Sequence, residues 1–428
     1  MTVASGIASK RVDASDVLRF VAPGADVIVG IANAEPTTVL DAIEQGADRL
    51  HDVRLHQMDP FHERRYMYGE IPNLRHVSWF LSAVNRDAFA EGLCDLVPNN
   101  FHDVPNLLRR STKCSLAVVA VAPPDRHGFF SLGCHADYMA ALTGDVPFFV
   151  EVNHQMPRTF GENQVHVSQV VGWSEADYPL VEVTPREPGE ADRAIAALVA
   201  ERIPDGATLQ VGIGSIPNVV LGMLAERRDL GIHTEVLTDG VVDLIEAGVI
   251  TGTRKRTHRN KTVATLAIGS RRLYDFCADN PGIEFWPVDH TNAPATIATE
   301  DRIVSVNATL EVDFLGQCAS ESLGAHYRSS SGGQPDFAQG ALASEHGQSF
   351  VVLHSTTRDL SVSRIVPTLQ AGAAVTTFKN VVDKVVTEYG VAELRGSSIR
   401  ERAGRLIGIA HPQFRPELEQ RARTMGYL

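Results

Sequence analysis

The stretches GADVIVGIANAEPTTVLDAI (residues 24–43) and GATLQVGIGSIPNVVLGML (206–224) decide the fold. Each begins with a Gly-Ala pair and continues through an apolar run, a Gly-Ile turn and a proline into a segment with apolar residues three and four positions apart. This pattern predicts a buried strand followed by an amphipathic helix. A second strand is expected after each copy, over VRLHQM (53–58) and IHTEVL (232–237). The matched order of these features indicates a duplicated unit.

The rest of the chain repeats the same alternation of short apolar runs and segments with helical periodicity. Such alternation predicts an α/β protein with mainly parallel sheets. The charged, proline-containing stretch PREPGEADR (185–193) is the expected linker. We therefore predict two similar, open, mainly parallel-sheet domains, over residues 1–190 and 191–428.

The composition narrows the class of protein. The chain of 428 residues has 39 Lys and Arg against 52 Asp and Glu, a net charge of −13, so neither a nucleic-acid partner nor a membrane partner is expected. No run approaches the roughly 20 apolar residues of a membrane helix, and the first residues lack a signal-peptide pattern. Five scattered cysteines without a CxxC pair argue against disulfides and a zinc site. We expect a cytoplasmic enzyme without a metal.

A glycine loop and a carboxylate are the candidate chemical groups of the second copy. Gly212, Ile213 and Gly214 connect the expected strand to its helix. Their backbone N–H groups are suited to binding an oxyanion or a phosphate, although a tight strand-to-helix turn needs glycine in any case. Glu235 lies in the next strand, and ligands of open α/β sheets bind beyond the carboxyl ends of strands. A nucleophile toward an activated acyl group fits this place, but spacing alone favours a general base or an ion-paired glutamate.

Two further segments have alternative interpretations. The loop SSGGQPDF (330–337) supplies more backbone donors or is a flexible connection. The run RKRTHRNK (254–261) is the most basic stretch of the chain. It meets the phosphates of an anionic ligand or, as most charge runs do, forms a solvated loop.

Several blocks resemble one family, and they occur in the family's order. The blocks are APPDRHGFFSLG (122–133), EVNHQMPRTFG (151–161), LQVGIGSIPNVVL (209–221), GIHTEVLTDGVVDLIEAGVIT (231–251), GSRRLYDF (269–276), GQCASESLG (316–324), SSGGQPDF (330–337), SRIVP (363–367), VVTEYGVAELRG (385–396) and IAHPQFR (409–415). With them, essentially the whole chain resembles the acetyl-CoA hydrolase/transferase family of class I coenzyme A transferases. The pattern is similar to that of 4-hydroxybutyrate and butyrate–acetate CoA-transferases.

The resemblance implies roles for individual residues. Glu235 matches the family's nucleophilic glutamate. Two loops match those that stabilise the oxyanion and hold the CoA arm, namely Gly212, Ile213 and Gly214, and Gly332, Gly333 and Gln334. Two segments match those that line the acyl or carboxylate pocket, with Asn33, Glu35 and Pro36 in one and Asn153, Gln155 and Met156 in the other. The resemblance further implies a homodimer or larger homo-oligomer, with CoA and acyl-CoA as substrates and no permanently bound cofactor.

The implied reaction moves CoA from an acyl-CoA to a small carboxylic acid of the 4-hydroxybutyrate, butyrate or acetate type. It runs by ping-pong through a glutamyl-CoA thioester at Glu235. Three alternatives stay open. An acyl-CoA hydrolase would let water reach the intermediate, and a sugar-phosphate isomerase would use Glu235 as a base. A CoA-binding sensor would tolerate the loss of Glu235.

Overall fold

The computed structural model describes residues 3–184 and 186–428, so Pro185 of the expected linker lies outside the described residues. In these two ranges no helix is both long and apolar enough to cross a membrane. The strands are β1 (Asp26–Val29), β2 (Val53–Met58), β3 (Leu74–Phe80), β4 (Asp95–Leu96), β5 (Leu116–Val121), β6 (Phe129–Ser131), β7 (Phe148–Asn153), β8 (Phe160–Gly161), β9 (Gln164–His166), β10 (Val170–Ala176), β11 (Thr208–Val211), β12 (Gly231–Leu237), β13 (Thr262–Ala267), β14 (Ile283–Phe285), β15 (Ile303–Ala308), β16 (Glu311–Asp313), β17 (Cys318–Ala319), β18 (Ser322–Leu323), β19 (His326–Tyr327), β20 (Gln348–Val352), β21 (Ile365–Val366), β22 (Lys384–Thr387) and β23 (Gly390–Glu393).

The helices alternate with these strands. The α-helices are α1 (Val3–Ser9), α2 (Thr37–Gln45), α3 (Arg86–Ala90), α4 (Val104–Ser111), α5 (Asp137–Ala141), α6 (Glu190–Ala200), α7 (Ser215–Gly222), α8 (Asp239–Glu246), α9 (Arg271–Cys277), α10 (Val288–Thr291), α11 (Pro294–Ile297), α12 (Gln334–Ala343), α13 (Ile399–Ile409) and α14 (Arg415–Thr424). Short 3₁₀ helices cover Ala14–Phe20, Ala32–Ala34, Ala47–Arg49, Arg65–Tyr68, Phe101–Asp103, Val167–Gln169 and Pro412–Phe414.

The chain forms two compact units, and each is built from two segments. Unit 1 comprises Met1–Val183 and Val263–Thr291, and unit 2 comprises Thr184–Thr262 and Asn292–Leu428. The expected boundary after residue 190 lies a few residues past the first break, but it omits the return of the segment from Val263 to unit 1. There His135 forms a bridge with Leu266, and the Val183 N–H donates to the Gly269 carbonyl. Strand periodicity does not indicate which unit a strand joins, so this return could not be predicted from the pattern of strands and helices.

Unit 1 contains a parallel sheet in the order β10-β7-β5-β1-β2-β3-β4. The consecutive residues Val27, Ile28 and Val29 of β1 have no exposed surface. Burial of successive residues means that both faces of the sheet are covered, as in other parallel sheets. The next strand of the chain, β2, pairs with one edge of β1, and β5 pairs with the other.

Unit 2 repeats this arrangement around β11. Its strands run in the order β23-β22-β20-β15-β11-β12, and all neighbours are parallel except the β22–β23 pair. Like β1, the strand β11 has the next strand of the chain on one side and a later strand, β15, on the other. The predicted α/β class and the predicted duplication of a mainly parallel sheet are therefore confirmed. In both units the quoted sequence stretch contains the strand that is flanked by the next strand of the chain and by a later strand.

Candidate functional site

Glu235 lies near the carboxyl end of β12 in unit 2. Its neighbours Thr234 and Val236 are buried, whereas Glu235 itself keeps part of its surface open. The Asn292 side chain donates a hydrogen bond from Nδ2 to Glu235 Oε2 at 2.6 Å. Hydrogen bonds from an amide to a carboxylate are short and strong, so this bond fixes the direction of the glutamate side chain.

The second glycine loop packs directly on this carboxylate. A Cβ atom at Gly333 would overlap both the Glu235 carboxylate and the Asn292 amide. The φ of Gly333 is −93°, which any residue adopts, so the position requires glycine for space and not for backbone conformation. The loop that the sequence offered as a source of backbone donors thus lies beside the candidate carboxylate, and its glycine allows the close approach.

Gly333 is also the residue that precedes α12, a helix of ten residues. The N-terminus of a helix carries a partial positive charge and free N–H groups, so α12 directs a favourable field toward the carboxylate. The Phe337 ring of α12 lies 6.3 Å from the His233 ring of β12, centroid to centroid. This contact holds the helix start next to the strand.

The first glycine loop follows β11 and reaches the same edge of the sheet. In the parallel pair of β11 and β12, Thr208 lies opposite Gly231. Three residues further along each strand, the Thr234 hydroxyl lies 3.5 Å from the Val211 carbonyl, so the register is unchanged there. Continuing this register by one residue places Gly212 beside Glu235. The two candidate features predicted from the sequence are thus brought together.

The N–H groups of the first loop differ in their availability. Gly212 N–H donates to the Val306 carbonyl of β15 at 3.2 Å, so it belongs to the sheet. Within the described ranges, the N–H groups of Ile213 and Gly214 donate to no protein acceptor. Gly214 has a φ of +135°, which favours glycine, and the Ile213 side chain is 51% exposed. Of this loop, Ile213 and Gly214 are the residues whose N–H groups remain open to a ligand.

The Gln334 side chain does not face a ligand through its amide nitrogen. Its Nε2 donates to the Thr377 hydroxyl at 3.1 Å in a buried contact. A contribution of Gln334 to ligand binding would therefore come from its backbone at the start of α12.

In unit 1, Glu35 has no exposed carboxylate surface. Its Oε1 accepts from Arg64 Nε at 3.1 Å, and its Oε2 accepts from the N–H groups of Phe61 and His62 at 3.1 and 3.3 Å. Arg64 also donates to Asp41 at 2.7 Å. The Glu35 side chain thus fastens the loop after β1 to the loop after β2, and its hydrogen-bonding capacity is filled by the protein.

Two other predicted pocket residues have the same kind of internal role. Asn33 donates from Nδ2 to the Tyr274 hydroxyl at 2.9 Å and accepts from the Val181 N–H at 2.8 Å. Asn153 donates to the Tyr178 carbonyl at 3.0 Å and accepts from the Gln155 N–H at 3.1 Å. These amides shape loops rather than present free polar groups.

The remaining predicted pocket residues lie in the same loops. Pro36 is buried directly before α2. Gln155 donates to the exposed Asp177 at 2.9 Å, and Met156 is buried next to Gly133, where an added Cβ would overlap its sulfur. All the predicted pocket residues belong to unit 1, whereas Glu235 and both glycine loops belong to unit 2.

Asn292 is the site residue that sequence analysis missed. It lies in HTNAP (290–294), between α10 and α11, and no motif distinguishes it from a residue that ends a helix. Its Oδ1 atom and that of Asn218 in α7 are buried without a hydrogen-bond partner in the described part of the chain. Because buried polar atoms are nearly always bonded, these two acceptors are available to a ligand N–H or O–H group.

A surface cluster provides a set of metal-ligand types among the described residues, namely Asp301, Glu345 and His346. Arg256 donates to Glu345 at 3.2 Å and lies 3.8 Å from Asp301. His346 Nδ1 lies 2.8 Å from Asp301. The carboxylates are thus engaged in ion pairs. Glu345 and His346 are exposed, whereas the ligands of a structural metal site are held in a closed coordination shell.

Two family models match the sequence. The acetyl-CoA hydrolase/transferase N-terminal domain matches residues 7–185, and the C-terminal domain of the same family matches residues 269–422.

Curated relatives and a solved structure match nearly the whole chain. A succinyl-CoA:cyclohexane-1-carboxylate CoA transferase of Geobacter metallireducens is 45% identical over 397 residues, which cover 92% of this chain and 91% of the relative. A 4-hydroxybutyrate coenzyme A transferase of Clostridium kluyveri is 40% identical over 395 residues, 92% of each. The crystal structure of RipA from Yersinia pestis is 37% identical and superposes with a TM-score of 0.94 over 100% of both chains.

Proposed function

Because the chain belongs to the acetyl-CoA hydrolase/transferase family, we propose that it transfers CoA from an acyl-CoA to a small carboxylic acid, with Glu235 as the nucleophile. The family resemblance found in the sequence is confirmed, and so is the prediction of an enzyme of the CoA-transferase class. The observation that carries the proposal is the Glu235 carboxylate, oriented by Asn292 and packed against the backbone at Gly333.

The first step is the attack of a Glu235 carboxylate oxygen on the thioester carbonyl carbon. The C–S bond breaks, an acyl-glutamyl anhydride forms, and CoA leaves as a thiolate. The thiolate then attacks the glutamyl carbonyl carbon of the anhydride. The first acid leaves as a carboxylate, and Glu235 carries CoA as a thioester.

The second half of the reaction repeats these steps in reverse order. The acceptor carboxylate attacks the glutamyl thioester and displaces the thiolate, which then attacks the acceptor's carbonyl and releases free Glu235. Each intermediate keeps the activation of the original thioester, so a carboxylate suits this transfer better than a hydroxyl nucleophile.

Oxyanion stabilisation comes from backbone donors in this proposal. The open N–H groups of Ile213 and Gly214 follow β11, at the same edge of the sheet as Glu235 near the carboxyl end of β12. One well-placed donor lowers the barrier of such a step by about 3 kcal/mol. Gly332 and Gly333, with the start of α12, complete the cradle for the CoA arm.

The acceptor class in this proposal is taken from the relatives' names. The two relatives named above carry 4-hydroxybutyrate and cyclohexane-1-carboxylate in their names. We extend this chemistry to a small carboxylic acid of the 4-hydroxybutyrate, butyrate or acetate type. The loops that Asn33, Glu35 and Asn153 hold in place would form its pocket. A cytoplasmic homo-oligomer remains part of the proposal.

An acceptor-dependent exchange assay tests this function. The protein is incubated with butyryl-CoA and acetate, and acetyl-CoA is measured by chromatography while free CoA is measured with a thiol reagent. We expect acetyl-CoA formation without accumulation of free CoA. Free CoA released at the same rate without acetate would instead indicate an acyl-CoA hydrolase.

A matched pair of variants links the activity to Glu235. Glu235→Gln is expected to lower exchange by at least about a thousandfold, because an amide cannot form the anhydride. Glu226→Gln, which removes an exposed carboxylate of unit 2, serves as the control and should retain full exchange. Unchanged exchange in Glu235→Gln would exclude this nucleophile. CoA binding without exchange in the natural protein would indicate a sensor.

A further inference from the structure

Unit 2 has a second concave site at the opposite edge of its sheet from Glu235. The cavity has a volume of about 380 Å³ and is lined by Asp205, Gly206, Arg228, Asp229, Arg254 and Arg302. These residues lie in the segments just before β11, β12 and β15 and in the loop that follows α8. We call these six residues the arginine pocket. Glu235 lies at the carboxyl end of β12, whereas this pocket lies where the strands begin.

Arginines from separate segments converge in this pocket. A Cβ atom built on Gly206 would lie 3.2 Å from Arg254 Cγ and 4.0 Å from Arg302 Nη1. Arg228 lies in the connection between α7 and β12. Its backbone N–H donates to Asp205 Oδ1 at 2.9 Å. Arg254, the first residue of the basic run 254–261, thus lines the pocket. The same run buries Lys255, whose Nζ donates to the Ile232 carbonyl at 2.8 Å.

The guanidinium groups of the pocket are poorly neutralised by the protein. Arg254 Nε is 3.8 Å from Asp229 Oδ2, a loose ion pair. Throughout the described residues, no carboxylate oxygen lies within 4.0 Å of a guanidinium nitrogen of Arg228 or Arg302. The three arginines and two aspartates leave one net positive charge in a chain whose net charge is −13.

The two aspartates are partly occupied by neutral donors. Asp229 Oδ1 accepts from the hydroxyls of Thr251 and Thr253 at 3.3 and 3.2 Å. Asp205 accepts the Arg228 backbone N–H described above. These carboxylates therefore support the loops, while the three arginines line the same cavity. Like charges that face a common cavity repel, and an anion placed among them relieves that repulsion.

We propose that the arginine pocket binds the phosphoryl group of a small phosphorylated metabolite. A guanidinium presents planar pairs of N–H donors that match phosphate oxygens, and three such groups suit a doubly charged anion better than a single carboxylate. The volume falls in the range of small-molecule pockets. The site is separate from the proposed CoA chemistry, so its occupancy does not depend on Glu235.

Calorimetric titration of the full-length protein tests this site with defined probes. Inorganic phosphate, pyrophosphate and adenosine monophosphate are titrated separately, with ionic strength held constant by sodium chloride. We expect saturable binding of at least one of the three. Binding of all three indicates recognition of the phosphoryl group alone, whereas binding of adenosine monophosphate only indicates a nucleotide. Absence of saturable binding for all three overturns the proposal.

Variants assign the binding to the pocket. Arg228→Gln and Arg302→Gln each remove one exposed guanidinium and should weaken binding about tenfold or more, because charge-assisted hydrogen bonds to phosphate are lost. Arg400→Gln removes an exposed guanidinium elsewhere in unit 2 and should leave the affinity unchanged. Glu235→Gln should leave it unchanged as well. Equal affinity in the natural protein and in the Arg228→Gln/Arg302→Gln double variant would contradict the assignment.

Circular dichroism without phosphate provides the folding control. The natural protein and the double variant should unfold at closely similar temperatures, because both side chains are exposed. Addition of the bound probe should raise the unfolding temperature of the natural protein only. A similar rise in both proteins would again place the anion outside the arginine pocket.

Discussion

Asn292 donates a hydrogen bond to Glu235, so substitution of Asn292 tests how the orientation of this carboxylate affects the reaction. We expect Asn292→Ala to lower kcat about tenfold to a hundredfold, because a hydrogen bond to a charged group contributes about 1.5–3 kcal/mol. Exchange kinetics measure the change. Asn380→Ala, at an exposed asparagine of the same unit, should leave kcat unchanged. An unchanged kcat in Asn292→Ala would show that orientation of Glu235 does not limit the reaction.

Gly333 tests the space around the same carboxylate. Gly333→Ala should lower exchange by more than about a hundredfold, because the new Cβ displaces the Glu235 carboxylate from its position. The backbone there is at φ −93°, so alanine causes no conformational strain and the variant should fold normally. Exchange at the natural rate in a folded Gly333→Ala protein would contradict the close packing of this loop. Kinetics and near-ultraviolet circular dichroism measure both properties.

At the scale of one element, two helix glycines, Gly404 in α13 and Gly340 in α12, are expected to respond differently to substitution by alanine. Gly404 is exposed within α13, and a Cβ there would meet nothing within 4 Å. Gly404→Ala should raise the free energy of unfolding by about 0.5–1 kcal/mol, since glycine loses more backbone freedom in a helix than alanine does. Urea unfolding measures this, and exchange activity should not change.

In α12, the interior glycine has the opposite expected effect. A Cβ at Gly340 would lie 2.5 Å from Ile297 Cβ, so Gly340→Ala forces two packed helices apart. We expect it to lower the free energy of unfolding by about 1–3 kcal/mol. A stabilised Gly340→Ala protein, or a destabilised Gly404→Ala protein, would contradict the packing described for these helices.

The sequence predicted elements better than contacts. The strands after each Gly-Ala pair and the second strands over residues 53–58 and 232–237 were predicted correctly, because buried strands and amphipathic helices leave clear periodicities. The loop at Gly333 was also identified. Asn292 was missed, because its role depends on a contact with a residue 57 positions away. The internal hydrogen bonds of Asn33 and Glu35 could not be predicted either, because their partners are distant in the sequence.

At the scale of the whole molecule, the pH dependence of the free energy of unfolding tests whether the buried carboxyl group of Asp137 in unit 1 is protonated in the folded protein. Burial raises the pKa of Asp137 to about 8, and Asp137 Oδ2 has no hydrogen-bond partner in the described ranges. An unfolded aspartate has a pKa near 3.9, so the folded state holds a proton that the unfolded state releases between about pH 4 and pH 8. The free energy of unfolding should therefore fall as pH rises across this window.

Asp137→Asn removes this titration. The variant should lose less stability between pH 4 and pH 8, and at pH 8 it should be more stable than the natural protein. Asp48→Asn, at an exposed aspartate of the same unit, is the control and should follow the natural protein. Urea unfolding at several pH values gives the comparison. A parallel pH dependence in Asp137→Asn and the natural protein would show that Asp137 is ionised in the fold.

The division into units was the least predictable feature at this scale. The sequence indicated two halves, yet the segment Val263–Thr291 packs with unit 1, although it follows much of unit 2 in the chain. Strand and helix patterns are local, whereas membership of a unit depends on tertiary packing. The family and the duplicated sheets were predictable, because they leave many short blocks in a fixed order.

Covalent capture at Glu235 is the most direct test of the central claim. The protein is incubated with an acyl-CoA without acceptor, treated with borohydride, digested, and analysed by mass spectrometry of the peptide that contains residues 231–251. The proposed mechanism predicts a CoA adduct or a reduced side chain at Glu235, and neither in Glu235→Gln. An unmodified Glu235 in a protein that still exchanges CoA would contradict the assignment of this residue as the nucleophile.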